Sequence, residues 1–268
     1  MMEQMTTLID QVREKQPLIH NITNQVVINF TANGLYAVGA APVMANAVEE
    51  AADMARNADA LLLNIGTLTT PQVHAMIQAG KAANQKGIPV VFDPVGVGAT
   101  PFRTETAQRI LQDVQVSFVR GNAGEIAMLA GLDAEIRGVD STVQANQKQI
   151  TTEAVNRIGV PVIVTGVEDI ISDGKDFYYI NNGHPLLTKV TGTGCLLSAV
   201  VAAFLASNDH GLEAAAGAVS FYGIAAEIAA QQTSGPGSFQ TAFLDALYNV
   251  DSEQIKDLIK VKYDHSNH

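Results

Sequence analysis

Three short segments carry residue types suited to work on an anionic substrate. In Thr191-Gly192-Thr193-Gly194-Cys195, two glycines precede a long apolar stretch. Glycines ahead of a helix let backbone N–H groups turn toward a ligand, and the helix N-terminus adds partial positive charge, so the segment suits phosphate. A tight turn that simply needs glycine has the same appearance. The segment is not a Walker A loop, and Leu197 stands where a dinucleotide fingerprint has its third glycine. Gly96-Val97-Gly98-Ala99-Thr100-Pro101 fails the same fingerprint at Pro101. Cys195 falls on the first turn of the expected helix, where a thiol pKa is lowered and a thiolate favoured. It then serves as base or nucleophile; a small buried cysteine without chemical consequence fits equally. Asp93-Pro94-Val95-Gly96 puts a carboxylate at a strand end, a place for magnesium held directly or through water, or for a turn aspartate. Asn122-Ala123-Gly124-Glu125 has capping-box spacing, which is compatible with also facing a metal–phosphate site. Arg120, just before it, suits a bidentate phosphate contact or a solvated salt bridge. No two of the six histidines have metal-ligand spacing, so no zinc site is expected. Only His20, in His20-Asn21-Ile22-Thr23-Asn24, lies in a dense polar cluster.

These segments need a scaffold that gathers them. Ala60 to Gly66, Ile88 to Pro94, Val116 to Gly121 and Val160 to Gly166 are short apolar, β-branched runs. Between them, Pro71 to Gln85, Thr104 to Leu111, Ala123 to Leu129 and Ser141 to Arg157 read as helices. Strands apolar on both faces and separated by helices indicate a parallel sheet covered on both sides. Ligands of such sheets sit beyond the carboxyl ends of the strands, where Gly66, Asp93, Arg120 and Thr165 fall. Asp169 to Ser172 and Asp176 to Ile180 read as a hairpin around Asp173-Gly174-Lys175. Further helices are expected over Asn24 to Val38, Glu49 to Arg56, the stretch opened by Cys195, Leu212 to Ala230, Phe239 to Tyr248 and Glu253 to Ile259. The charged end after Ile259 is expected to fray.

The chain has 268 residues, 47% of them hydrophobic and 16% charged. That excludes a disordered chain, and the absence of a linker or repeat favours one domain over 1–268. Sixteen Lys and Arg against 27 Asp and Glu give a net charge of −11, which offers nucleic acid no general attraction. A small anion can still be held by magnesium, backbone N–H groups and one or two local cations. There is no Trp, and the single cysteine, Cys195, rules out a disulfide framework, as in a reducing cytoplasm. Met1-Met2-Glu3-Gln4-Met5 lacks signal-peptide features, and the apolar run Leu196 to Ala206 is too short to span a bilayer. A cytoplasmic protein without a membrane partner is expected.

Six segments, in order, carry a resemblance over nearly the whole chain: Pro17-Leu18-Ile19-His20-Asn21-Ile22-Thr23-Asn24, Ala41-Pro42-Val43-Met44, Asn64-Ile65-Gly66-Thr67-Leu68, Asp93-Pro94-Val95-Gly96, Arg120-Gly121-Asn122-Ala123-Gly124-Glu125 and Val190-Thr191-Gly192-Thr193-Gly194-Cys195. With them the sequence resembles the hydroxyethylthiazole kinases of the ribokinase-like superfamily. The glycine turn is shared with many sugar and vitamin kinases. The cysteine after it, where most of the superfamily has an aspartate base, is characteristic of thiazole kinases.

The resemblance implies an α/β fold with a central, mostly parallel sheet and helices on both faces. It implies transfer of the γ-phosphoryl of ATP to the primary hydroxyl of 5-(2-hydroxyethyl)-4-methylthiazole, in thiamin (vitamin B1) salvage. It implies magnesium, and a homotrimer with the thiazole near a subunit boundary. By motif position, Arg120, Thr165 and Gly194 fall to ATP. Met44, Gly192 and Asn24 fall to the thiazole, Asp93 and Glu125 to magnesium and its waters, and Cys195 to the catalytic position. The rivals are a hydroxymethylpyrimidine kinase and a nucleotide-dependent dehydratase of the same fold, both expected to carry aspartate after the turn. A non-catalytic regulator is a third.

Overall fold

The structure, a computed structural model, describes residues 2–132, 143–209 and 211–265. Two helices, α1 (Met2–Thr6) and α2 (Leu8–Lys15), lead into strand β1 (Leu18–Ile22). Then follow α3 (Ile28–Val38), β2 (Ala41–Val43), α4 (Ala51–Asn57), β3 (Ala60–Asn64), α5 (Thr70–Lys86), β4 (Val90–Asp93), α6 (Pro101–Asp113), β5 (Phe118–Asn122) and α7 (Ala123–Leu129). The second half holds α8 (Val143–Ile158), β6 (Val162–Thr165), β7 (Asp169–Ser172), β8 (Asp176–Ile180) and a 3-10 turn at Pro185–Lys189. It closes with α9 (Thr193–Ser207), α10 (Gly211–Gln231), α11 (Pro236–Asn249), α12 (Ser252–Leu258) and β9 (Val261–His265).

The nine strands form one sheet in the order β2-β1-β3-β4-β5-β6-β7-β8-β9. The pairings from β2 to β6 are parallel and those from β6 to β9 antiparallel. Alternating strand side chains feed two cores. Ile19, Leu62, Val91 and Ile163 face the helices α2, α3 and α9 to α11. Leu61, Leu63, Phe92 and Val164 face α4 to α8. The expected α/β layering is thus present. Local signals set the helix ends: Thr69 and Thr100 cap α5 and α6 from their side-chain oxygens, each with a proline in the first turn. Gly87, with φ +80°, ends α5.

Two strands were not anticipated, the buried β1 around His20-Asn21-Ile22 and the half-buried β2, Ala41–Val43. Two expectations are corrected. The helix after β1 starts at Ile28 rather than Asn24. As far as His265, the end beyond Ile259 does not fray: β9 pairs antiparallel with β8, and Lys148 bridges to Asp264 at 3.2 Å. The strand's polar residues hid it, but its backbone has a ready partner in the exposed edge of β8. The start of the helix expected from Ser141 lies outside the described residues. Helix α10 is long and apolar enough to cross a bilayer, but residues 214–226 are buried inside the fold.

Candidate active site

Six parallel strands end at one edge, and the residues just there differ sharply from the apolar runs behind them. Asn24 follows β1, Met44 follows β2, Asn64 ends β3, Asp93 ends β4, Arg120 and Asn122 lie in β5, and Thr165 ends β6. Register pairs Asn64 with Asp93 and Asn122 with Thr165. Helix α9 runs beneath the sheet with its N-terminus at this edge. Gly192, at φ +86°, is its N-cap residue, and a methyl there would fall 2.3 Å from a Val27 methyl. A side chain on Gly194 would fall 2.7 Å from Arg120 Nη1. The two glycines therefore let the helix start touch the Asn24–Phe30 segment on one side and the arginine on the other.

Polar atoms link these ends. Asp93 is fully buried. Its Oδ2 accepts from Asn64 Nδ2 at 2.8 Å and from Ser198 Oγ at 2.9 Å, while Arg120 Nη1 stands at 4.0 Å. Its Oδ1 has no partner. Asn24 donates to Asn64 Oδ1 at 3.1 Å and to Cys195 Sγ at 3.3 Å. Arg120 Nη2 donates to Thr165 Oγ1 at 2.8 Å. Glu125 and Asn122 form the capping box, and Glu125 also accepts from Gly96 N–H. The capping-box reading of that motif is met, and the cap also anchors the glycine turn after Asp93.

Beside this network opens a cavity of about 670 Å³. Arg120, Thr165, Gly166 and Asp169 line one side, and Leu197, Val219 and Tyr222 the other. Its rim at Asn182 and Gly183 is pinned by Glu227, which accepts from both. The cavity thus gathers Arg120, Thr165 and Gly194. Asn24, Cys195, Asp93 and Gly192 lie at the adjoining helix start. Met44 is half-buried at the edge strand and takes no part in the hydrogen-bond network described above.

Burial raises the Asp93 carboxyl to about 6 against the lowering pull of Arg120, Ser198 and Asn64. Burial likewise raises Asp169 to about 6, opposed by the Gly166 N–H and Arg120. The expected thiolate at Cys195 is corrected. Burial and the Asp93 charge push the thiol up to about 11, outweighing Asn64, Asn24 and Arg120.

The residues partly fit a magnesium ion. The unpartnered, buried Oδ1 of Asp93 is a hard oxygen donor of the kind magnesium takes. Both oxygens of Glu125 are already held by backbone N–H groups, which suits a carboxylate acting through water. No cluster of three or more His, Cys, Asp or Glu residues arranged to hold a metal occurs among the described residues.

Sequence reasoning assigned no role to Asn64, Ser198, Arg103 or Tyr222. Arg103 donates to the carbonyls of Ile65, Val95 and Gly66 at 2.7–2.8 Å, tying the β3 and β4 loops together. Tyr222 donates to Thr193 O at 2.6 Å. Asn64 ends a strand as Asp93 does and opens one of the six segments that carry the resemblance, two signals that gave it no role by themselves. Ser198 lies one turn after Gly194 inside an apolar helix, a polar residue in a buried run.

The hydroxyethylthiazole kinase family profile matches residues 9–253. The hydroxyethylthiazole kinase of Moorella thermoacetica is 50% identical over 261 residues, spanning 97% of this chain and 98% of that protein. The chain belongs to the hydroxyethylthiazole kinase family. The solved structure of the hydroxyethylthiazole kinase protein from Pyrococcus horikoshii superposes with a TM-score of 0.90 at 42% identity, covering 98% of this chain and 99% of that one. Pyridoxal kinase of Staphylococcus aureus, in complex with AMP-PCP and pyridoxal, shares the fold: TM-score 0.62, 17% identity, covering 93% of this chain and 99% of that one.

Proposed function

We propose that this chain is an ATP-dependent kinase that phosphorylates the primary hydroxyl of 5-(2-hydroxyethyl)-4-methylthiazole in thiamin salvage. The observation that carries the reading is the meeting of Asn24, Asp93, Cys195 and Arg120 around the α9 N-terminus, beside a cavity large enough for a nucleotide. Membership of the family supplies the acceptor.

In this reading Arg120, Thr165 and Gly194 hold ATP, and Gly192, Asn24 and Met44 hold the thiazole. The hydroxyl oxygen attacks the γ-phosphorus, the bond from that phosphorus to the β,γ-bridging oxygen breaks, ADP leaves, and the hydroxyl proton is released to water as the ester forms. Such transfer rests on positioning and charge stabilisation more than on covalent help. Arg120 and the backbone N–H groups of the α9 start face the charge that builds on the transferred group. Magnesium, when bound, neutralises phosphate charge; Asp93 would hold it, with Glu125 holding its water. Cys195 orients the hydroxyl. As a neutral thiol it is better suited to that than to standing as a base, and a loose transition state asks for the hydroxyl proton only late.

We propose further that the chain is a single domain, works in the cytoplasm, and forms a homotrimer with the thiazole near a subunit boundary. Val26 is 67% exposed, two residues from Asn24, and Tyr36 on α3 is 65% exposed. Tyr36 lies on α3, which packs beside the short edge strand β2, and the trimer itself rests on the family resemblance. Sedimentation equilibrium tests the trimer. Phosphorus NMR of ATP, magnesium and thiazole with the enzyme tests the reaction: a new phosphomonoester signal equal in amount to the ADP formed is expected. ADP without that ester would overturn the reading.

A further inference from the structure

Asn64 is 1% exposed and makes three hydrogen bonds that lock its amide in one orientation, and its side chain also acts on the Cys195 thiol. The Gly66 backbone N–H can only donate, and it lies 2.9 Å from Asn64 Oδ1. That assigns Oδ1 as the acceptor and turns Nδ2 toward Asp93 Oδ2, at 2.8 Å. Asn24 Nδ2 also reaches Asn64 Oδ1, so Asn24 must present its NH2 there. The same NH2 contacts Cys195 Sγ, which makes the sulfur an acceptor from Asn24. A methyl on Gly66 would fall 2.8 Å from Asn24 Nδ2, so the glycine lets the two asparagines meet. One backbone N–H thus sets the donor–acceptor sense of a chain running Gly66–Asn64–Asn24–Cys195, with Asp93 as a branch.

We propose that Asn64 is a positioning residue for phosphoryl transfer, fixing the Cys195 thiol both directly and through the amide sense of Asn24, while holding Asp93 Oδ2 from the other side. Reversing or removing its amide frees Asn24 to flip and turn its oxygen toward sulfur. The nucleotide cavity is lined by other residues, so the loss falls on turnover and on the thiazole end. This rests on the kinase reading above.

The test compares wild type, Asn64→Leu, Asn64→Asp, Asn24→Ala and the Asn24→Ala/Asn64→Leu double variant, each with its melting temperature. Asn64→Asp is the near-isosteric variant that keeps the test open if the leucine does not fold. Expected are a fall in kcat of at least tenfold in both Asn64 variants and a KM for ATP within twofold of wild type. The double variant should be no more than threefold worse than the poorer single variant, because both changes break one chain. Cys195 is the only cysteine, so its alkylation by iodoacetamide without substrates reads the thiol directly. Loss of the amide donors should slow it at least threefold in Asn64→Leu. Independent losses in the double variant, a KM for ATP that rises with the fall in kcat, or alkylation at the wild-type rate overturns the proposal. Wild type that transfers no phosphate would sink the kinase reading instead, and the alkylation result would still judge Asn64.

Discussion

Replacing Asp93 with Asn should stabilise the fold relative to wild type as pH rises, in the same protein that loses turnover. Asp93 is wholly buried with one oxygen unpartnered, and its carboxyl is raised from the usual 3.8 to about 6. The native protein therefore holds this proton more tightly than the unfolded chain does. Wild-type stability falls, on this account, as pH rises from about 4 to about 6 and levels off above. The full cost of ionising the buried group is about 3 kcal/mol. Roughly 1.3 kcal/mol of it develops between about pH 5 and about pH 7. In Asp93→Asn the amide oxygen can keep the Asn64 and Ser198 hydrogen bonds, while the new NH2 takes the unpartnered place at a cost of about 1–3 kcal/mol. That cost does not vary with pH, so the slope isolates the carboxylate. Urea unfolding of both proteins with a chelator, in steps across this range, reads the difference. The variant should gain on wild type by about 1.3 kcal/mol from pH 5 to pH 7. A difference flat in pH, or one that moves toward wild type, would refute the buried, costly carboxylate.

Cys195→Ser should keep measurable turnover, because an orienting hydroxyl replaces an orienting thiol; a folded variant without activity would contradict this. Arg120→Ala should lose more, on the order of 10²-fold in kcat/KM, since it removes the cation set between Thr165 and Asp93. Gly194→Ala should raise the KM for ATP while leaving the melting temperature close to wild type. Its methyl would crowd Arg120 at 2.7 Å, and a guanidinium can move where a backbone cannot. Glu125→Gln removes one of two acceptor oxygens that hold Gly96 and Asn122. It should lower stability by about 1 kcal/mol in urea unfolding and raise the magnesium needed for half-maximal rate.

The layers of the fold were legible because their causes are local. Runs such as Leu61–Leu62–Leu63 bury both faces, and only a parallel sheet between helices accepts several of them. The hairpin at Asp173-Gly174-Lys175 formed where its turn chemistry put it. The first two strands were hidden because β1 carries His20 and Asn21 into the interior. His20 there bonds Ala45 O at 2.6 Å, a contact no periodicity announces. β9 was hidden because its register depends on an edge 80 residues away in sequence. At the site, the glycine turn and the capping box could be read from spacing. The raised Cys195 thiol could not, because burial and the nearby Asp93 belong to tertiary structure. Nor could Asn64 and Arg103, whose partners lie on other strands and loops.

Phosphate transfer from ATP with magnesium should be measured with hydroxyethylthiazole, with hydroxymethylpyrimidine and with no acceptor, side by side. The account predicts ADP and a phosphorylated product with the thiazole alone. No turnover with any acceptor, by a protein that still binds the nucleotide, would contradict it and shift the weight to a dehydratase or a binding protein on this fold.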